Sequence, residues 1–137
     1  MKKITLMIML SLLSFCGYAQ LALEQFEAPW TGTPAAPPGW TVVNETGLAV
    51  TWVQTDPGSP IQQPPYGGTG HSAYLQKEAV APTDAVPRDW LISPAFTMPA
   101  NGELSFFSRL TIGADQGGIY RVMVSTNADP TLLSAYT

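Results

Sequence analysis

Cysteine is all but missing: the chain of 137 residues holds one, Cys16, and its histidine count is likewise one, His71. Charge is sparse as well. Charged residues make up 12% of the chain, and 6 Lys plus Arg stand against 10 Asp plus Glu, for a net charge of −4. So little charge excludes an acidic tail or a coiled coil. So few cations, with no basic stripe, exclude nucleic acid as a partner. A single histidine is a poor start for a zinc site, which needs several partners of the same kind. No apolar run reaches the roughly 20 residues that a membrane-spanning helix requires, so no membrane span is expected. What the chain does have is 13 Pro and 12 Gly, with 45% hydrophobic residues. That composition disfavours helical bundles and favours a single turn-rich all-β domain.

The N-terminus has the order of a secretory signal peptide. Lys2 and Lys3 are followed by an apolar stretch from Ile4 to Phe15, and Gly17-Tyr18-Ala19 puts small residues at −3 and −1 of a cleavage site. Cleavage after Ala19 is expected, leaving Gln20 first and a secreted or cell-surface product. Lipidation of Cys16 would call for a small residue before it, and Phe15 stands there. Loss of the leader removes Lys2, Lys3 and Cys16 together, moving the charge from −4 to −6. The exported chain then has no route to disulfides, thiolate catalysis or Cys-ligated zinc. It must be held by its core, or by a hard cation such as calcium.

The rest divides into a Pro-rich opening segment at residues 20–39, of which Pro29 to Gly39 reads as an irregular loop, and a β-patterned domain at residues 40–137. Pro29, Pro34, Pro37 and Pro38 fix φ and lack donors. Strand patterns follow at residues 40–44, 48–55, 71–76, 89–93, 95–98, 103–112 and 119–126, with no convincing helix. Leu48, Val50 and Trp52 alternate with Ala49, Thr51 and Val53. Leu104, Phe106, Leu110 and Ile112 share one expected face, and Tyr120, Val122 and Val124 another. The Asn101-Gly102 pair marks a hairpin turn. Residues 56–70, crowded with Pro and Gly, form a long loop of the functional or mobile kind. This is the pattern of an antiparallel β-sandwich.

Candidate chemistry is thin. His71, Ser72 and Asp89 are the ingredients of a triad, but adjacent strand residues point to opposite faces, which favours a plain polar strand edge. The ten carboxylates are scattered at loop ends, where none forms an evident glycosidase pair. Gly67-Gly68-Thr69-Gly70 and Gly117-Gly118 have neither a P-loop lysine nor a following helix and read as turns. Asn44-Glu45-Thr46 matches a glycosylation acceptor. Trp40, Trp52, Trp90 and Phe106 lie in strand patterns and are expected in the core. Trp30 and Tyr66 lie in Pro/Gly loops. There they either stack on a ligand, as interface hot spots do, or fold back over a sandwich edge.

Several segments carry a resemblance: Phe26-Glu27, Pro38-Gly39-Trp40-Thr41-Val42-Val43-Asn44, Trp52, Gly70-His71-Ser72-Ala73-Tyr74, Asp89-Trp90-Leu91-Ile92-Ser93-Pro94-Ala95-Phe96, Leu104-Ser105-Phe106 and Tyr120-Arg121-Val122-Met123-Val124-Ser125-Thr126. In this order they resemble the cleaved adhesin, or choice-of-anchor J, domains of secreted Bacteroidetes proteins, from about Phe26 onward. The resemblance implies a jelly-roll β-sandwich without catalytic activity. It also implies further strands after the Val-Ser-Thr segment, so residues 20–137 are expected to be a C-terminally incomplete domain with bare apolar faces at Phe106, Val122 and Val124. The expected function is adhesion, or binding of an extracellular glycan or protein, with Trp30 and Tyr66 as ligand-binding aromatics. Structural calcium is the expected cofactor. Glu27, where the resemblance places an acid, and Asp89 would be its ligands, and carbonyls would complete the roughly six to eight oxygens. The alternatives are an accessory part of a longer secreted peptidase or glycoside hydrolase, and a structural spacer.

Overall fold

The computed structural model describes residues 24–46, 49–59, 62, 69–77, 87–111 and 118–137. The expected signal peptide (residues 1–19), Cys16 and Tyr66 lie outside these described residues. Among them the chain is all-β and antiparallel throughout. Its strands are β1 (Thr31–Gly32), β2 (Ala35–Ala36), β3 (Thr41–Asn44), β4 (Val53–Gln54), β5 (Ala73–Tyr74) and β6 (Asp89–Ile92), followed by a 3₁₀ turn at Leu133–Ala135. They pair as three two-stranded ladders, β1 with β2, β3 with β6 and β4 with β5. No helix among the described residues is long and apolar enough to cross a membrane.

The β3–β6 ladder is the centre. Its strands carry the β-branched and aromatic residues that suit a pleated surface, and Pro94 stops β6 from extending. Val42 lies opposite Leu91 and Thr41 opposite Ile92. Directly opposed residues share a face, so Val42 and Ile92 point to opposite sides of the ladder. Both are 6% exposed, which means the ladder is covered on each side. On the Val42 side, Asn44 Nδ2 donates to the Val50 carbonyl at 3.3 Å. The Trp52 indole N–H donates to the Asp89 carbonyl at 3.1 Å. On the Ile92 side, the Trp90 ring meets Tyr136 at 5.5 Å.

The opening segment is more ordered than its prolines suggest. Residues 29–39 were expected as irregular loop, yet β1 and β2 form a tight hairpin closed by Thr33 and Pro34, with a cis peptide between them. Proline at a turn centre needs no donor, so the ladder forms around it. Next, Pro38-Gly39 makes a turn in which the Trp40 N–H donates to the Pro37 carbonyl at 2.9 Å. Gly39 has φ +80 there, the left-handed value that a type II turn requires at this position.

The C-terminal half departs from its strand pattern. A turn forms at Pro99–Gly102, with the Gly102 N–H donating to the Pro99 carbonyl at 2.8 Å. It is centred on Ala100 and Asn101, with neither Asn101 nor Gly102 at positive φ, so it is not the Asn-Gly hairpin turn that the sequence suggests. No ladder follows on either side among the described residues, so the segments 95–98, 103–111 and 119–126, expected as strands, have no sheet pairing there. Phe106, expected in the core, is exposed, as are Val122 and Val124. Alternation marks which side chains share a face, but it supplies no neighbour to pair with. Leu132 to Tyr136 turns rather than running straight. Ser125, Asn127 and Asp129 side chains each accept the backbone N–H two residues on, at 2.8 to 3.0 Å. These repeated local bonds bend the chain. Thr137 then returns to exchange two backbone bonds with Val124, at 2.9 and 3.0 Å.

The last link of this series titrates. Asp129 also accepts from the Thr131 hydroxyl at 2.7 Å. That bond, and then the Thr131 N–H, hold its carboxyl below the ordinary value. A depressed carboxylate adds stability above its unfolded pKa and loses it as pH falls through the folded one. Carbon-detected NMR titration should therefore place Asp129 below the ordinary aspartate value, and Thr131→Val should move it back up. An Asp129 midpoint unchanged by that substitution would remove the cause.

Candidate functional site

Glu27 is placed by its neighbours in the chain. The Gln54 amide on β4 donates to the Phe26 carbonyl at 2.6 Å and to the Ala28 carbonyl at 3.0 Å. This clamp straddles Glu27, and Phe26 takes φ 59 on its near side. The Glu27 carboxylate then accepts the His71 N–H at 2.9 Å across 44 positions of sequence. Gly70, with φ +88, passes so close beneath it that a Cβ there would overlap Glu27 Oε1.

His71 leads inward from this joint. Its Nδ1–H donates to the Thr55 carbonyl at 2.6 Å. Thr55 is 4% exposed and fully engaged. Its hydroxyl accepts the Ser72 N–H at 2.8 Å, and its own N–H donates to the Ser72 carbonyl at 2.9 Å. Buried polar groups are tolerated when satisfied in this way, and removing one partner leaves the other stranded. Thr55→Val keeps the shape and removes the acceptor. It should cost about 1–3 kcal/mol in urea unfolding, and a cost indistinguishable from zero would show that water serves Ser72 instead.

A triad would turn His71 Nδ1 toward its carboxylate, and here that nitrogen belongs to a backbone carbonyl. Asp89 sits at the start of β6 opposite Asn44, with its carbonyl on the Trp52 indole. Glu27 and Asp89, the two expected calcium ligands, thus belong to different contacts. No group of three or more His, Cys, Asp or Glu that could hold a metal occurs among the described residues. Asn44 spends its side-chain nitrogen on Val50, which is the atom a glycan would need.

Trp30 is half-buried and tilts against Phe26 at 6.1 Å, while Phe26 meets Trp40 edge-on at 5.4 Å. The Trp30 ring is thus part of an aromatic row under the opening hairpin. A second charged cluster lies beside β6, where Glu45 takes Arg88 at 3.2 Å and the Trp90 indole N–H at 3.1 Å.

Exposed apolar surface lies elsewhere. Residues 103–111 and 118–126 meet at Tyr120, through an edge-on contact with Phe106 at 6.5 Å and a hydrogen bond between the Ser108 and Tyr120 hydroxyls at 3.4 Å. Phe107 is 72% exposed there and Ile119 87%. Period-2 patterning marked these segments as strands, and Phe106, Val122 and Val124, where bare apolar faces were expected, are exposed. Comparison with family models, with curated proteins and with solved structures finds no match for the chain.

Proposed function

We propose that the chain is a secreted, non-catalytic module that binds an extracellular glycan or protein, built on a jelly-roll sandwich to which the three ladders belong. The observation that carries this is the exposed apolar surface on the segments 103–111 and 118–126, which meet at Tyr120. Apolar surface concentrated in one region of a soluble chain marks a contact site, and its aromatics are of the hot-spot kind. The engagement of His71 with Thr55 supports a structural role for the one histidine. The resemblance to cleaved adhesin domains points the same way, as does the signal peptide for export.

The test is binding of the intact purified chain to immobilised matrix glycoproteins and to a glycan array. A Phe107→Ser, Ile119→Ser double variant should lose about tenfold or more of the binding while unfolding as the parent does, since both positions are exposed. Equal binding by the variant, or closure of this surface on a second copy in sedimentation, would overturn the reading.

Calcium stays in this reading as a weak structural cofactor at Glu27. His71 uses one carboxylate oxygen of Glu27, and Oε2 would face the cation with carbonyls and water. Calcium should raise the melting temperature slightly over chelator, and Glu27→Gln should abolish the difference. Identical melting in both conditions would dismiss calcium from the joint.

A further inference from the structure

We propose that the outer face of the β4–β5 ladder is a binding site for one neutral sugar ring. Sugar capture here rests on the chain being a binding module, but on a different surface from the one above. The register places Val53 opposite Tyr74, and alternation carries it on to Thr51 opposite Gln76. Thr51, Val53, Tyr74 and Gln76 therefore share one face. The other face is committed inward: Trp52 reaches the Asp89 carbonyl, and Gln54 clamps the chain around Glu27.

The outward face is not flat. With Gln62 as a further wall, it lines a half-open cleft of about 330 Å³. That is the small end of the range for ligand pockets, room for a single ring rather than a chain of them. Gln62 is tethered, because its side-chain oxygen accepts the Asp56 N–H at 2.5 Å. The Thr51 hydroxyl is buried without a hydrogen-bond partner. A buried hydroxyl in that state is costly unless something arrives to pair with it.

The lining residues specify the class of ligand. No charged side chain lines the cleft among the described residues. An anionic sugar or a phosphate would find no cation there. The Gln76 carboxamide offers both donor and acceptor, and Gln62, whose oxygen takes the Asp56 N–H, still offers its amide N–H groups, which suits the neighbouring hydroxyls of a pyranose. The Tyr74 ring offers an apolar face to the C–H side of the same ring. A purely apolar ligand would leave Thr51, Gln62 and Gln76 unpaired and is disfavoured for that reason.

The intact purified chain should be titrated with methyl glycosides of glucose, galactose, mannose and N-acetylglucosamine, with sialic acid as the charged control. Saturation-transfer NMR reports contact, and the Tyr74 ring resonances report its place. At least one neutral glycoside should bind and shift Tyr74. Gln76→Ala, at an exposed position, should weaken it about tenfold with an unchanged melting temperature. Thr51→Val serves as a second variant and should weaken binding likewise, with a melting temperature equal to or above the parent's because the unpaired hydroxyl is gone. Binding unaffected by both variants would overturn this site and leave the binding module standing. Absence of any neutral glycoside binding at millimolar concentration, or preference for sialic acid, would overturn it too. In that case protein binding through Phe107 and Ile119 decides the broader reading separately.

Discussion

Ile92→Ala should destabilise the chain by about 2–5 kcal/mol, the range for emptying a buried aliphatic site. Ile92 is one of the two buried hydrophobics of the β3–β6 ladder, and Val42 covers the opposite face. Leu110→Ala removes a residue of the same size from an exposed position and should cost less than about 0.5 kcal/mol. Urea unfolding of both variants checks the contrast. Equal costs would mean that residues 103–111 are packed as tightly as β6, and the exposed surface on which the proposed function rests would disappear.

Gly70→Ala should be comparably severe for a different reason. A φ of +88 costs a side chain about 1–2 kcal/mol in backbone strain. The new Cβ would also overlap the Glu27 carboxylate and push it off the His71 N–H. Together these should reach about 2–3 kcal/mol. A double-mutant cycle separates the two parts. In a Glu27→Ala background the collision is gone, so Gly70→Ala should then cost only the backbone part. The same cost in both backgrounds would show that Glu27 yields freely and does not lock the joint.

Much of the scaffold was legible locally. β3 and β6 fall within the expected segments at 40–44 and 89–93, because β-branched and aromatic runs bounded by turns carry their own signal. The Pro38-Gly39 turn was equally legible, since its residues set the backbone angles directly. The Asn101-Gly102 pair was not a reliable guide, because the turn there falls one residue earlier and joins no strands. The β1–β2 hairpin was not, because a proline-rich segment reads as loop until a specific turn seats the proline between two ladder pairs. Residues 103–111 and 119–126 misled in the opposite direction. Their alternation is real, but sheet pairing depends on which backbone lies alongside.

The candidate sites divide in the same way. Glu27, Trp30 and Asp89 could be singled out by residue type and position. What each touches could not, because the partners of Glu27 and Asp89 lie 44 and 37 residues away. The alternation of Thr51 and Val53 with Trp52 was visible in the sequence, but not the pairing that lays Tyr74 and Gln76 beside them. By itself the sequence determined the all-β class and where many turns fall, because those follow from φ preferences and the two-residue period of a strand. Only the tertiary structure decided that Glu27 locks onto Gly70 and His71, that Thr55 is a buried polar hub, and that one face of β4–β5 opens into a cleft. Each of these depends on register between segments distant in the chain, and register is set by long-range packing that no local pattern encodes.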